Sequence, residues 1–269
     1  MDTRRTVRAL GIGAAGLLCT TVTLPASASL PGDGYLAYAW SSDSVQQQVF
    51  DLVPDNEATC FLAGLGGELS LANTSYMSVA IVSDVEGPPG EPGGWELTFY
   101  QGTSSGSAGA AAACVWSTTN RISGLQVMGT GTQNLGPGTT DRHCFLQGFV
   151  STDDSLGNTG VKADVYLDPN DNNWYLQTWN MSENVNTYAV CVDIPGANTH
   201  NVNNVTGSYT VTAFEDTATT PEVCGLRGFE GPFKSPNASD GVWLNWPSQP
   251  GYWSLNATNN TRGWLACLQ

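Results

Sequence analysis

Three copies of one cysteine frame run through this chain, and that repeat limits the folds open to it. The copies open as Cys60-Phe-Leu-Ala-Gly64-Leu, Cys144-Phe-Leu-Gln-Gly148-Phe and Cys224-Gly-Leu-Arg-Gly228-Phe. Leu holds the third place and Gly the fifth in each. The middles read Trp95-Glu-Leu97, Trp174-Tyr-Leu176 and Trp253-Ser-Leu255. The closings read Ala113-Cys114-Val115, Val190-Cys191-Val192 and Ala266-Cys267-Leu268. The openings lie 84 and 80 residues apart, so the unit is long and its loops vary.

Each unit reads as four short strands. In the second they fall at residues 144–150, 161–167, 174–179 and 187–194. Val161, Ala163, Val165 and Leu167 alternate with polar residues, the signal of a half-buried strand. Asn, Gly, Asp and Pro fill the gaps, as turns require. The first unit has a Pro- and Gly-rich loop at 86–94, and in the third a strand at 242–246 runs into Pro247. A lead segment with a further strand precedes each unit, at 35–40, 122–128 and 208–214. Residues 45–52 come nearest to helical periodicity. The expectation is an all-β chain of about fifteen strands, in three tandem disulfide-closed β modules packed against one another. The alternative is one pseudo-threefold domain, a β-prism or trefoil.

The chain has seven cysteines, and an odd count raises the question of a free thiol. The N-terminus answers it. Arg4, Arg5 and Arg8 precede an apolar stretch, and Ala26-Ser27-Ala28 places small residues where signal peptidase cuts. Cleavage before Ser29 removes Cys19. It leaves 241 of the 269 residues and takes the net charge from −15 to −17, since three Arg and Asp2 go with it. The modules then span 29–120, 121–200 and 201–269. Leu18 and the apolar sequence beyond Cys19 argue against a lipobox, and no later segment is apolar enough to span a bilayer. The expected product is extracellular, exported through a Sec signal of bacterial type, in a compartment that favours disulfides.

Six cysteines allow 15 connectivities. The repeat selects Cys60–Cys114, Cys144–Cys191 and Cys224–Cys267, because a self-contained module closes on its own cysteines. Each bridge would stabilise the fold by about 3–4 kcal/mol through the unfolded state.

The Cys-Phe-Leu-x-Gly, Trp-x-Leu and Ala-Cys-Val frame resembles the cysteine-framed β-repeats of secreted bacterial proteins without assigned activity. Tyr35-Leu-Ala-Tyr-Ala-Trp40 is similar to the Tyr-Ala-Trp openings of other such repeats. The resemblance covers most of the mature chain. It implies secretion and a β fold and carries no catalytic residues. A ricin-type lectin would show Gln-x-Trp in every repeat. Gln177-Thr-Trp179 is the only instance in an equivalent place, so no lectin site is transferred.

The acidic charge argues against nucleic acid, whose phosphates need Lys and Arg. Neither His143 nor His200 has a neighbour at metal-ligand spacing, and His143 reads as a surface residue at a strand start. Paired carboxylates leave a glycosidase open. Asp168-Pro-Asn-Asp171-Asn-Asn173 is the sharpest oxygen-rich cluster, with Asp153 and Asp154 in another loop of that module. Asp168 and Asp171 would suit calcium, or simply a hairpin turn; no other cofactor is implied. Trp95, Trp174 and Trp253 recur and read as core anchors. The third module gathers Trp243, Trp246, Tyr252 and Trp264 in a short stretch, which offers an aromatic ligand surface or a small core. The leading expectation is a secreted, non-enzymatic binding or adhesive module for a glycan or surface protein. A structural or matrix protein and a carboxylate hydrolase are the alternatives.

Overall fold

The computed structural model describes residues 34–41, 47–54, 56–67, 69, 77–85, 94–100, 108–211, 223–234, 240–245 and 253–268. The expected signal peptide, the 86–93 stretch of the Pro- and Gly-rich loop, Trp246 and Tyr252 lie outside them. The first module contributes β1 (Gly34–Ser41), β2 (Gln47–Pro54), β3 (Thr59–Gly67), β4 (Met77–Val85), β5 (Gly94–Tyr100) and β6 (Ala108–Val115). The second contributes β7 (Ile122–Met128), β8 (Gly131–Pro137), β9 (Arg142–Ser151), β10 (Lys162–Asp168), β11 (Asn173–Trp179) and β12 (Val185–Asp193). The third contributes β13 (Thr199–Val205), β14 (Gly207–Val211), β15 (Val223–Glu230), β16 (Gly241–Asn245), β17 (Trp253–Thr258) and β18 (Arg262–Leu268). The chain is all-β, with one 3-10 turn at Ser155–Gly157 among the described residues.

Each module therefore has six strands rather than the expected four plus a lead. The segment that came nearest to a helix is β2, a strand, because Val49 and its neighbours pair with β5. β8 and β13 went unseen. Their sequences, Gly-Thr-Gln-Asn-Leu-Gly-Pro and Thr-His-Asn-Val-Asn-Asn-Val, are too polar to advertise an edge strand. β13 also crosses the boundary expected between residues 200 and 201.

The three bridges form as expected. Cys60, Cys144 and Cys224 lie opposite Cys114, Cys191 and Cys267 on paired antiparallel strands, with Cα atoms 4.0, 4.1 and 4.0 Å apart. Each module is thus closed by its own disulfide, yet no module forms a sheet of its own. Sheet 1 runs β1-β6-β3-β16-β17-β14, sheet 2 runs β7-β12-β9-β4-β5-β2, and sheet 3 runs β13-β18-β15-β10-β11-β8. Every sheet takes three strands from one module and three from a neighbour. The exchange is cyclic, so the sheets close around one pseudo-threefold axis.

The strands that open each frame, β3, β9 and β15, pack against one another on that axis. They are buried on both faces, which explains why Cys-Phe-Leu-x-Gly shows no alternation. Phe61 and Phe145 stack there, with ring centroids 4.0 Å apart and planes 14° apart. The third copy has Gly225, and a Cβ on it would drive into Phe61 and sit 2.7 Å from Phe145. Two rings fill the axis, and the third repeat gives way.

The fourth place of each frame is a β-bulge. The register of the ladders to β6, β12 and β18 steps over Ala63, Gln147 and Arg227. Two of these side chains reach the edge strand of their sheet, β7 or β13. Gln147 Oε1 accepts from the Gly124 amide at 2.8 Å, and Arg227 donates to Asn201 at 2.8 Å and to the Val165 carbonyl at 2.7 Å. The glycine that follows the bulge lies on the seam where the neighbour's strand docks. A Cβ on Gly228 would stand 2.7 Å from the Ala163 carbonyl, and one on Gly64 would stand 2.7 Å from the Trp243 ring. That seam is why glycine recurs at the fifth place.

Trp95 and Trp174 are core anchors, as expected. Trp95 is fully buried and donates to the Ala58 carbonyl at 2.7 Å. Guanidinium groups lie 5.2 Å from both rings, Arg121 over Trp95 and Arg227 over Trp174. The side chain of Trp253 is outside the described residues.

Candidate functional site

β10 and β11 alternate strictly. Ala163 and Val165 on one, and Trp174, Leu176 and Thr178 on the other, point into the core. The intervening residues therefore lie on the outer face of sheet 3. Leu167, expected on the buried side, is 38% exposed because it sits at the strand end.

The register orders this face into rows. Arg262, Glu230, Lys162 and Trp179 form the first. Trp264, Gly228, Asp164, Gln177 and Thr132 form the second. Tyr166, Tyr175 and Asn134 form the third. Successive rows are about 7 Å apart along the strands. Gly228 leaves a gap in the second row, between Trp264 on β18 and the side chains of β10.

Lys162 is the hub. Its ammonium lies 4.3 Å from the Trp179 ring centroid and 4.5 Å from that of Trp264. It also stands 3.4 Å from Asp164 Oδ2. Two indoles and one carboxylate thus surround one cation. Burial pushes the Asp164 carboxyl above its ordinary value, and Lys162 and Arg227 only partly draw it back. Tyr166 donates to Gln177 Oε1 at 3.1 Å, and its ring stacks on Tyr175 at 5.8 Å. Arg262 and Glu230 lie 3.9 Å apart at the rim. The charges of the first two rows balance. The face presents two indoles, two phenols, an amide, a carboxylate and an ammonium, the set that grips vicinal hydroxyls and the apolar side of a sugar ring.

The expected aromatic cluster does not stay together. Trp264 belongs to sheet 3, whereas Trp243 lies on β16 in sheet 1. The two are near in sequence but strand exchange sends them to different sides of the axis. Trp179 and Lys162, in the second module, take up the places beside Trp264. Gln177-Thr-Trp179 was visible in the sequence, but nothing there indicated that β10 docks on β15.

Asp168 and Asp171 lie in the hairpin turn between β10 and β11. Asp168 Oδ1 accepts from the Asn170 amide and side chain, both at 2.8 Å. Asp171 Oδ1 accepts from the Asn173 amide at 3.0 Å, and Oδ2 from the Tyr175 hydroxyl at 2.5 Å. The Tyr175 bond holds the exposed Asp171 carboxyl below its ordinary value. These are the bonds of Asx turns. Asp153 is engaged elsewhere: burial pushes it up, but bonds from Ser182, the Ser155 amide and Asn184 together hold it low. Among the described residues, no three His, Cys, Asp or Glu side chains gather as a metal group.

His143 is not the surface residue its place beside Cys144 suggested. It is 4% exposed, and its Nδ1 lies 3.1 Å from Thr199 Oγ1 on β13. Burial holds its pKa below the ordinary value, against the pull of Asp141 and Asp193. Arg142 bonds Asp193 at 2.7 Å beside it. This is a joint between β9 and β13, the edge strand of sheet 3. Among the described residues, no helix is long and apolar enough to cross a membrane. The chain matches no family model, and no curated protein is similar to it.

Proposed function

We propose that this is an extracellular carbohydrate-binding protein, exported by the N-terminal signal and cleaved before Ser29, whose primary site is the outer face of sheet 3. The three disulfides are consistent with that compartment. The observation that carries the reading is the Lys162 ammonium held between Trp179 and Trp264 beside Asp164, on a solvent-facing sheet. Indoles stack on the apolar side of a pyranose, and Asp164, Gln177 and Lys162 exchange hydrogen bonds with its hydroxyls. The residues are spread over β18, β10 and β11, so the face suits a chain lying across the strands rather than one enclosed residue. Asp168 and Asp171 support the hairpin at the end of this face, as turn formers.

A glycan array, followed by affinity gels with soluble polysaccharides, tests this. The expected result is retarded migration that Trp179→Ala or Trp264→Ala abolishes while the fold is retained. A blank array would sink the reading. Glu230, in the row next to Asp164, supplies a second carboxylate on this face and favours a second reading, hydrolysis with Asp164 as the acid and Glu230 as the nucleophile or base. Turnover of a retained polysaccharide that Asp164→Asn abolishes would replace binding with that activity.

A further inference from the structure

The candidate site is assembled from two modules, and little backbone joins them. Lys162, Asp164 and Trp179 belong to the second module, and Trp264 belongs to the third. β10 meets β15 through three register pairs, Lys162 with Glu230, Ala163 with Phe229 and Asp164 with Gly228. A seam this short specifies its register weakly, and a slip of one residue would send Lys162 and Asp164 to the other face. The contact between Lys162 and Trp179 is set within the β10–β11 hairpin, where the two residues are opposite each other. The contact between Lys162 and Trp264, at 4.5 Å, crosses the seam and depends on it.

Arg227 sits where the seam ends. The ladder stops at Asp164, and the carbonyl of the next residue, Val165, accepts from Arg227 Nε at 2.7 Å. The side chain thus continues the pairing one residue further than the backbone does. Its Nη1 donates to Asn201 on β13 at 2.8 Å, and its guanidinium lies 5.2 Å from the ring of Trp174 on β11. One residue of β15 therefore ties β10 and β11 of the second module to β13 of the third. Arg227 is 8% exposed. Burying a guanidinium is costly unless its bonds are made, and a charged donor makes them stronger than a neutral one would. The planar fork also fixes their directions. The charge reaches the site as well: burial raises the Asp164 carboxyl, and Lys162 and Arg227 pull against it. At the same bulge, Ala63 has no polar side-chain atom, and Gln147 takes the Gly124 amide of its own module.

We infer that Arg227 is a positioning residue for the glycan site: it clasps the second module to the third, so that Trp264 meets Lys162 across the seam. It touches no ligand and acts through β10. The inference rests on the proposed function for its purpose, while the alignment itself can be measured without any glycan.

Lys162 and Lys234 are the chain's two lysines, so lysine-selective isotope labelling of the oxidised mature protein gives two side-chain signals. The ring currents of Trp179 and Trp264 should move the Lys162 ε-methylene upfield of that of the exposed Lys234. Trp264→Ala assigns the part of the shift that crosses the seam. Arg227→Gln and Arg227→Met should each lose that part while circular dichroism shows the fold retained. Arg227→Lys, which keeps the charge without the fork, should lose some of it. Retention in affinity gels cast with hydroxyethylcellulose, xylan or mannan should fall by about tenfold in Arg227→Gln and Arg227→Met. Arg121→Met removes the matching guanidinium 5.2 Å from Trp95 in sheet 2. It should leave the Lys162 signal and the retention unchanged, even where it lowers the melting temperature. An unchanged Lys162 signal in any folded Arg227 variant would overturn the inference, and so would an equal loss from Arg121→Met. Loss of the signal with full retention would overturn it too, since the alignment would then not serve binding. A wild type that binds none of the polysaccharides, with the signal still lost in the Arg227 variants, would overturn the proposed function and leave the clasp standing.

Discussion

Gly64, Gly148 and Gly228 occupy one position in three sheets, yet the residues in register with them share nothing. In sheet 3 the row reads Trp264, Gly228, Asp164, Gln177. In sheet 1 it reads Ala111, Gly64, Trp243, Asn256. In sheet 2 it reads Tyr188, Gly148, Ala80, Thr98. The glycine is constant because the seam between modules needs a bare backbone there. The flanking positions differ from sheet to sheet, from the buried Ala111 to the half-buried Trp264. The repeat therefore preserves a scaffold and leaves three faces free to diverge. A trivalent binder would have kept one row three times; this molecule did not.

The interior is where breaking the symmetry costs most. Replacing both Cys144 and Cys191 with Ala removes the central bridge and should cost about 2–5 kcal/mol, read by urea unfolding of the oxidised protein. An unchanged midpoint would mean that the bridge does not restrain the unfolded chain. Gly225→Phe makes the third repeat match the first two. It forces a third ring onto an axis already filled by Phe61 and Phe145, and should cost about 3 kcal/mol. If the variant melted like the wild type, two-ring packing on the axis would be wrong.

The faces should respond in binding rather than in stability. Trp264→Ala should lower glycan affinity at sheet 3 by about tenfold or more, with a small change in melting temperature. Equal loss from Tyr188→Ala on sheet 2 would erase the distinction between the faces.

A smaller effect lies at the joint between β9 and β13. Burial holds folded His143 below its ordinary value near 6.5. Below pH 6.5 the unfolded chain takes up the proton first, so stability falls as pH drops from there towards the folded pKa. His143→Gln should flatten the melting temperature between pH 7 and 5. A wild-type profile already flat over that range would contradict the buried neutral ring. The smallest effect expected is that of calcium. Melting in EDTA and in Ca²⁺ should coincide, since Asp168 and Asp171 are engaged in their turn. A clear upward shift with Ca²⁺ would make them ligands.

Much of the scaffold was legible because its signals are local. Alternation marked β10, turn residues marked the hairpin at Asp168–Asp171, and the repeat paired the cysteines. The misreadings share one cause. β2 was not marked as a strand, β13 was too polar to register as one, and His143 looked exposed, because each is defined by a partner distant in the chain. The candidate site failed in the same way: Trp243 and Trp264 looked like one cluster, and Lys162 looked like nothing.

The sequence alone settled the all-β class, the recurring unit and its three bridges. Those depend on spacing and periodicity within one stretch of chain. Only the tertiary structure decided that modules exchange strands, that two phenylalanines exclude a third, and which tryptophans share a face. The physical reason is that each frame strand hydrogen-bonds on both edges. One ladder comes from its own module and the other from the module before it in the cycle, and no local pattern records which.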